Sequence, residues 1–171
     1  MGEQNATIKE LAGKVPIRAY VSYRQKNPEN QEAIQILEKQ CATHQIDLIY
    51  DKKELENADS IKAFMNEIGA ARCVYILLTP AYFESSYTLY ELIAIHKWAE
   101  LDKRFVFPIR VTEQVTAYSW TTMKQYWENN EAVRNGLADL LNLTSHDHET
   151  AWQAVDNAWK EILSSYLDKI E

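Results

Sequence analysis

Residues 73–79, CVYILLT, are apolar at nearly every position, and this run constrains the fold more than any other stretch of the chain. A strand with one face in water alternates apolar and polar residues, whereas an unbroken run calls for cover on both faces. The flanking sequence offers the covering layers. Ile17 to Tyr23 is an alternating, β-branched strand, and Ala33, Ile34, Leu37 and Cys41 follow at helical spacing. Ile46 to Tyr50 is a second short strand. Asp59 or Ser60 caps a helix whose stripe is Ile61, Phe64, Met65 and Ile68, with Gly69 placed to end it. After the run come a Pro-bearing loop, a helix reaching Trp98, and a strand from Arg104 to Arg110 whose Pro108 favours an edge or a terminus. Residues 112–130 are ambiguous, and Val133, Leu137, Leu140 and Leu141 mark a short helix. Trp152, Val155, Trp159, Ile162, Tyr166 and Ile170 mark a long final one. Strands alternating with helices in this way predict an α/β fold, a parallel sheet with helices on both faces. Ligands of such folds sit beyond the carboxyl ends of the strands. That places Ser22, Tyr23 and Arg24, then Asp51, then Thr79 to Thr88 at the expected site.

The 171 residues suffice for one domain with its own core, expected over 15–171 behind a short extension at 1–14. Residues 4–12 of that extension read as a short helix. The net charge of -7 argues against nonspecific nucleic-acid binding and against attraction to an anionic membrane. No apolar stretch of about 18 residues occurs, and MGEQNATIKELAGK lacks the apolar core of a secretion signal. Cys41 and Cys73 read as buried thiols rather than a disulfide, which suits a reducing compartment, so a cytoplasmic location is expected.

Few motifs carry chemistry. No G-x-G-x-x-G and no G-K-[ST] is present, which argues against a Rossmann dinucleotide site and a P-loop. A phospho-receiver domain shares this layout but needs acids at the end of the first strand, and AYVSYR has none. His146 and His148, with Asp147 or Glu149, are metal candidates that lack a further His or Cys nearby, so solvated loop histidines are the better reading and no metal is expected. Cys41 and His44 have no third partner for nucleophilic work. His96 shares a helix face with Leu89, Leu92 and Ile93, the pattern of a satisfied core histidine.

Glu91 is different. It stands among apolar neighbours, with Ile95 one turn on and Trp98 two turns on. Such a carboxylate reaches solvent, finds a partner or lines a pocket. A helix Glu is most often a surface residue, and periodicity alone leaves catalysis the minority reading. In a pocket, its charge would suit N-glycoside cleavage, which passes through an oxocarbenium-like state that a nearby carboxylate stabilises. Tyr23, Tyr82, Phe83 and Tyr87 are then the candidates to stack on a nicotinamide or adenine ring, with Arg24 facing the pyrophosphate.

Four boxes in order make the chain resemble a Toll/interleukin-1 receptor (TIR) domain. AYVSYR at 19–24 is similar to the family's first strand ending in Ser-Tyr. YDKKELENADSI at 50–61 resembles its second-strand Asp, loop and helix start. RCVYILLTPAYFESSYTLYEL at 72–92 resembles its central strand, Ser/Thr-Pro-x-Tyr turn and Ser-x-Trp-Cys-x-x-Glu-Leu helix opening. FVFPIRV at 105–111 resembles its later Pro-Ile strand. The resemblance spans about residues 15–168.

It implies a flavodoxin-like three-layer sandwich. It also implies cleavage of NAD⁺, as substrate and not as cofactor, to nicotinamide and ADP-ribose or a cyclic form. Other members, mostly receptor and adaptor domains, act by self-association alone. The family's catalytic glutamate falls on Glu91, its Ser-Tyr on Ser22 and Tyr23 with Arg24 adjoining, and its Trp on Tyr87. Its Cys is replaced by Thr88. The family loop that mediates head-to-tail assembly falls on 51–59, where Asn57, Ala58 and Asp59 stand in place of Pro-Gly. An activator or sensor partner is implied as well. The acidic balance and missing membrane segment resemble a soluble bacterial member acting in defence.

Overall fold

The structure, a computed structural model, describes residues 17–24, 27–50, 63, 73–99, 106–111 and 120–163. Four strands form one parallel sheet: β1 (Ile17–Ser22), β2 (Ile46–Ile49), β3 (Cys73–Leu78) and β4 (Val106–Arg110), in the order β2-β1-β3-β4. The helices are α1 (Pro28–Thr43), α2 (Ser86–Ala99), α3 (Trp120–Asn129), α4 (Glu131–Leu140) and α5 (His148–Ala158). A 3-10 turn, Pro80–Glu84, joins β3 to α2, and a π turn, Trp159–Leu163, ends α5. This is the flavodoxin-like α/β arrangement, a central parallel sheet flanked by helices on both faces.

The pleat explains the layers. On β1, Tyr20 joins the core beneath α2, whereas Val21, and Tyr23 just past the strand, turn to the α1 side with Ile34 and Leu77. On β3, Val74, Ile76 and Leu78 face α2. Cover on both faces is complete only from Ile76 onward, because Cys73 and Tyr75 on the α1 side are half-buried. The continuous run therefore overstates the cover at its amino end. Pro108 sits inside β4, paired with Ile76, and β4 is the outermost strand of the described sheet, where a missing N–H is tolerated.

Asn27 and Pro28 start α1: the Asn27 Oδ1 accepts the Glu29 N–H at 3.2 Å, and Pro28 occupies the first helical turn. The ambiguous stretch resolves into α3 from Trp120 onward. The final stripe is α-helical only to Ala158 and then turns through the π segment, with Trp159, Ile162 and Leu163 buried. The expected helices at 4–12 and 61–68, the loop at 51–59, and Trp98, Arg104, Tyr118, Tyr166 and Ile170 fall where the structure describes no side chains.

Candidate functional site

α2 lies between the sheet and the α3–α5 layer, and its own sequence demands this: Leu89, Leu92, Ile93 and Ile95 are buried, and Tyr90 and Ala94 half-buried. A helix apolar on so many sides takes Glu91 inside with it. Glu91 is 3% exposed, so it is not a surface residue. It finds a partner instead. Ser22 at the carboxyl end of β1 donates its hydroxyl hydrogen to Glu91 Oε2 at 2.5 Å, and the Tyr82 Oη lies 2.8 Å from the same Ser22 Oγ. Ser22 has one proton to give, so with that proton directed at Glu91 the Tyr82 hydroxyl donates to Ser22. Both Ser22 and Tyr82 are fully buried. Three elements thus converge at the carboxyl ends of β1 and β3, where the strand order reverses and doubly wound folds place ligands.

Burial sets the electrostatics. It pushes the Glu91 carboxyl up to about 8, against the opposing pull of the Ser22 hydrogen bond. Burial also pushes the Tyr82 phenol well above its ordinary value, assisted by the Glu91 charge. At neutral pH the group is a mostly protonated carboxylic acid in a dry, hydrogen-bonded niche, one that a nearby positive charge would ionise.

The turn over this niche is fastened to α2. Thr88 shares its one hydroxyl hydrogen between the carbonyls of Tyr82 and Ser85, the latter at 3.2 Å, and Ser85 Oγ accepts the Tyr87 N–H at 3.3 Å. Replacement of the family's Cys by Thr88 therefore adds a hydroxyl that holds Tyr82 in place. Beside the niche, Asn30 Nδ2 donates to the Arg24 carbonyl at 2.9 Å and Asn27 Nδ2 to Thr79 Oγ1 at 3.3 Å, tying the loop after β1 to the start of α1 and the end of β3. Arg24 is half-buried and close enough to Glu84 to pull its carboxyl down against the upward push of burial. Thr79 and Thr88 lie in the stretch expected at the site, whereas Asn27 and Asn30 were not anticipated. The Asn-Pro pair at 27–28 is the one local signal, since it marks a capped helix start.

The anticipated aromatics part company. Tyr82 joins Glu91 through Ser22. Tyr87, in the first turn of α2, is 42% exposed, the one anticipated ring open to solvent. Tyr23 lies on the other side of the sheet, buried with Val21, Ile34 and Leu77, and donates to the Tyr50 carbonyl at 3.1 Å. Phe83 is built into the core, edge-on to Tyr82 at 5.6 Å and to Trp159 at 5.1 Å. Neither Tyr23 nor Phe83 presents a ring face to a ligand in this arrangement.

Three of the histidines have structural partners. His96 is buried with Nε2 2.9 Å from Glu161. His146 pairs with Asp139 at 3.0 Å, and His148 with Asn135 at 2.7 Å while accepting from Arg134. Among the described residues no group of three or more His, Cys, Asp or Glu could hold a metal. Cys41 is buried and Cys73, read above as buried, is half-buried; both are free thiols, and burial pushes both away from the reactive thiolate. No helix among the described residues is long and apolar enough to cross a membrane.

A doubly wound sheet with a buried acid at its switch point defines the class. The TIR-domain family model matches residues 20–141, well over half of the chain, and the chain belongs to that family, whose members work in signalling and assembly. Among solved structures it is similar to the TIR domains of the activated Roq1 resistosome directly recognising the pathogen effector XopQ. The identity is 18%, the match covers 86% of this chain and 99% of that one, and the TM-score is 0.51, a likeness of fold. A search among curated proteins gives no match.

Proposed function

We propose that this TIR domain cleaves NAD⁺ at the bond between nicotinamide and ribose, with Glu91 as the catalytic residue, and acts as a signalling or defence effector after self-association. The carrying observation is a fully buried carboxyl group held by Ser22 at the switch point of the sheet. In the reaction the C1′–N bond breaks and its electron pair leaves with nicotinamide, neutralising the pyridinium ring. The sugar becomes an oxocarbenium ion, which Glu91 stabilises as a carboxylate. Water then forms the new C1′–O bond and releases a proton, or an atom of the same nucleotide closes a cyclic product.

The pyridinium charge of the substrate itself favours ionisation of Glu91, moving its proton out of the niche as the ligand enters. Access to the buried Glu91 requires the 3-10 turn carrying Tyr82 to lift. Tyr87 then packs on a ring of the dinucleotide and Arg24 meets the pyrophosphate. Self-association through the loop at 51–59 supplies the trigger, with an activator protein upstream, and the site of action is the cytoplasm.

The test is nicotinamide release by concentrated protein, with products identified by mass. Glu91→Gln should fold and lose about 10²–10³-fold in rate. Equal NAD⁺ consumption by both proteins would sink the assignment. The seclusion of Glu91 favours a second reading, a non-catalytic assembly domain in which the Ser22–Tyr82–Glu91 group is structural. Under it NAD⁺ stays intact in the assembled state, and Glu91→Gln keeps full signalling.

A further inference from the structure

Beneath the loop that follows β1, one polar atom has no role in the fold. Asn30, the third residue of α1, is 1% exposed. Its Nδ2 donates to the Arg24 carbonyl at 2.9 Å. That bond fixes which end of the amide is nitrogen, since an oxygen turned toward a carbonyl would meet no hydrogen. Asn30 Oδ1 is left as an acceptor, and among the described residues it is the one buried side-chain polar atom without a hydrogen-bond partner. A buried acceptor with no donor lowers stability, so this one calls for a partner from outside the fold.

The start of α1 specifies what that partner must offer. Pro28 has no N–H, the Glu29 N–H is taken by Asn27 Oδ1 at 3.2 Å, and the Asn30 N–H by the Asn27 carbonyl at 3.1 Å. The first three residues of the helix therefore present no free donor to an anion. The group left open is an acceptor, and it asks for a hydroxyl or an amine. Its place narrows the choice. Asn30 holds the backbone of Arg24, whose side chain meets the pyrophosphate under the proposed function. Asn27, three residues before it, is tied to Thr79 at the end of β3 at 3.3 Å. The donors of a dinucleotide that adjoin its pyrophosphate are the ribose hydroxyls. The nicotinamide-bearing ribose belongs beside Glu91, which leaves the adenosine ribose for Asn30.

We propose, on the NAD⁺-cleaving reading of the site, that Asn30 is a binding and specificity-determining residue whose Oδ1 accepts a hydrogen bond from the 2′,3′-diol of the adenosine ribose. The amide is uncovered when the turn at Pro80–Glu84 lifts and the Asn27–Thr79 tie parts. A 2′-phosphate on that ribose, as in NADP⁺, brings only acceptors and negative charge to an atom that has no proton to give. Glu29, next in the chain, adds a carboxylate. Arg24 gives no relief, because its guanidinium faces Glu84 and serves the pyrophosphate. Asn30 therefore selects NAD⁺ against NADP⁺, as a buried polar group rejects a ligand that fails to pair with it.

Initial rates of nicotinamide release by concentrated wild type on NAD⁺, its 2′-deoxyadenosine and 3′-deoxyadenosine analogues and NADP⁺ test it. Loss of the hydroxyl that Asn30 holds should lower kcat/KM about tenfold for one of the deoxy analogues. NADP⁺ should be used about 10²-fold less well than NAD⁺. Asn30→Leu replaces the amide by an apolar group of similar shape. In it the deoxy preference should shrink to about twofold or less, and the preference over NADP⁺ should fall about tenfold. A melting curve checks that the variant folds, and the wild-type series needs no variant. Binding separates this inference from the enzyme reading. Calorimetric titration of Glu91→Gln should give at least about tenfold weaker binding of 2′-phospho-ADP-ribose than of ADP-ribose. Asn30→Leu in the same background should remove that difference. If the difference is present while NAD⁺ is not cleaved, the enzyme reading fails and the role of Asn30 stands. If NAD⁺ is cleaved but the wild type uses all four substrates alike, or Asn30→Leu keeps the wild-type preferences, Oδ1 is met by a buried water only and the inference is overturned. Absence of ADP-ribose binding at about 1 mM overturns it as well.

Discussion

A carboxyl group carried into a dry niche makes stability depend on pH in a definite direction. Burial raises the Glu91 carboxyl from its ordinary value of 4.5 to about 8 in the folded protein. The unfolded chain releases this proton near the lower value and the folded chain near the higher one. The stabilisation is thus fully present below about 4.5 and is lost as pH rises through about 8. Between those limits the folded state gives up stability on the order of a few kcal/mol. Thermal unfolding at pH 5 and pH 8 should show the lower melting temperature at pH 8. Glu91→Gln, a neutral group of the same shape, should flatten that difference and melt above wild type at pH 8; a variant with the wild-type slope would show that Glu91 is not the group responsible. Ser22→Ala removes the bond that opposes burial and leaves Oε2 without its donor. It should cost about 1–3 kcal/mol in a denaturant titration at pH 7, and a loss within error would mean that the hydrogen bond is not made in solution. The sequence made Ser22, Tyr82 and Glu91 visible one at a time, as the end of a strand, a turn residue and an acid on an apolar helix. Their union was not legible, because the partners stand 60 and 69 residues apart and are joined by the Ser22–Ile76 register, which no local period encodes.

α2 and α4 cross at close range. Ser86, in the first turn of α2, donates to the Val133 carbonyl at 3.0 Å, and Gly136 of α4 lies directly against it. A Cβ on Gly136 would come within 2.5 Å of the Ser86 Oγ and 3.1 Å of its Cβ. Two effects compete. Alanine is favoured over glycine inside a helix by about 1 kcal/mol, while forcing an atom into a packed contact costs about 1–3 kcal/mol. With Ser86 present the clash and the displaced hydrogen bond win, so Gly136→Ala should destabilise by about 1 kcal/mol. In a Ser86→Ala background the nearest atom is gone, and the same substitution should become neutral or stabilising. A double-mutant cycle measures the coupling, expected at about 1–2 kcal/mol, and a zero coupling energy would refute the close approach. Helix existence here was readable from Val133, Leu137, Leu140 and Leu141, whose spacing repeats every three or four residues. The crossing was not, since a glycine in a helical pattern looks like a weak point until its neighbour is known.

At the scale of the molecule, the described residues cover the two faces of the sheet unequally. The larger core joins Tyr20, Ile76 and Leu78 to α2 and the α3–α5 layer, with Phe83 and Trp159 interlocked at 5.1 Å. The smaller one holds Val21, Tyr23, Ile34 and Leu77 beneath α1. The alternation of strands and helices foretold two layers, but nothing in the Trp152-to-Ile162 stripe says which face that helix will cover. An amphipathic period fixes that a face is buried and leaves open against what. The imbalance has a mechanical consequence. Opening free energies within a native protein track local apolar burial, and the segment with the thinner core opens first. α1 and β2 should therefore exchange their amide hydrogens through a lower-energy opening than β3 and α2, which reach exchange only on global unfolding. Native-state hydrogen exchange at increasing denaturant would separate the two classes. If the amides of Ile34 and Cys41 merged with those of Ile76 and Leu92 into a single isotherm at every denaturant concentration, the molecule would be one cooperative unit despite its unequal cores.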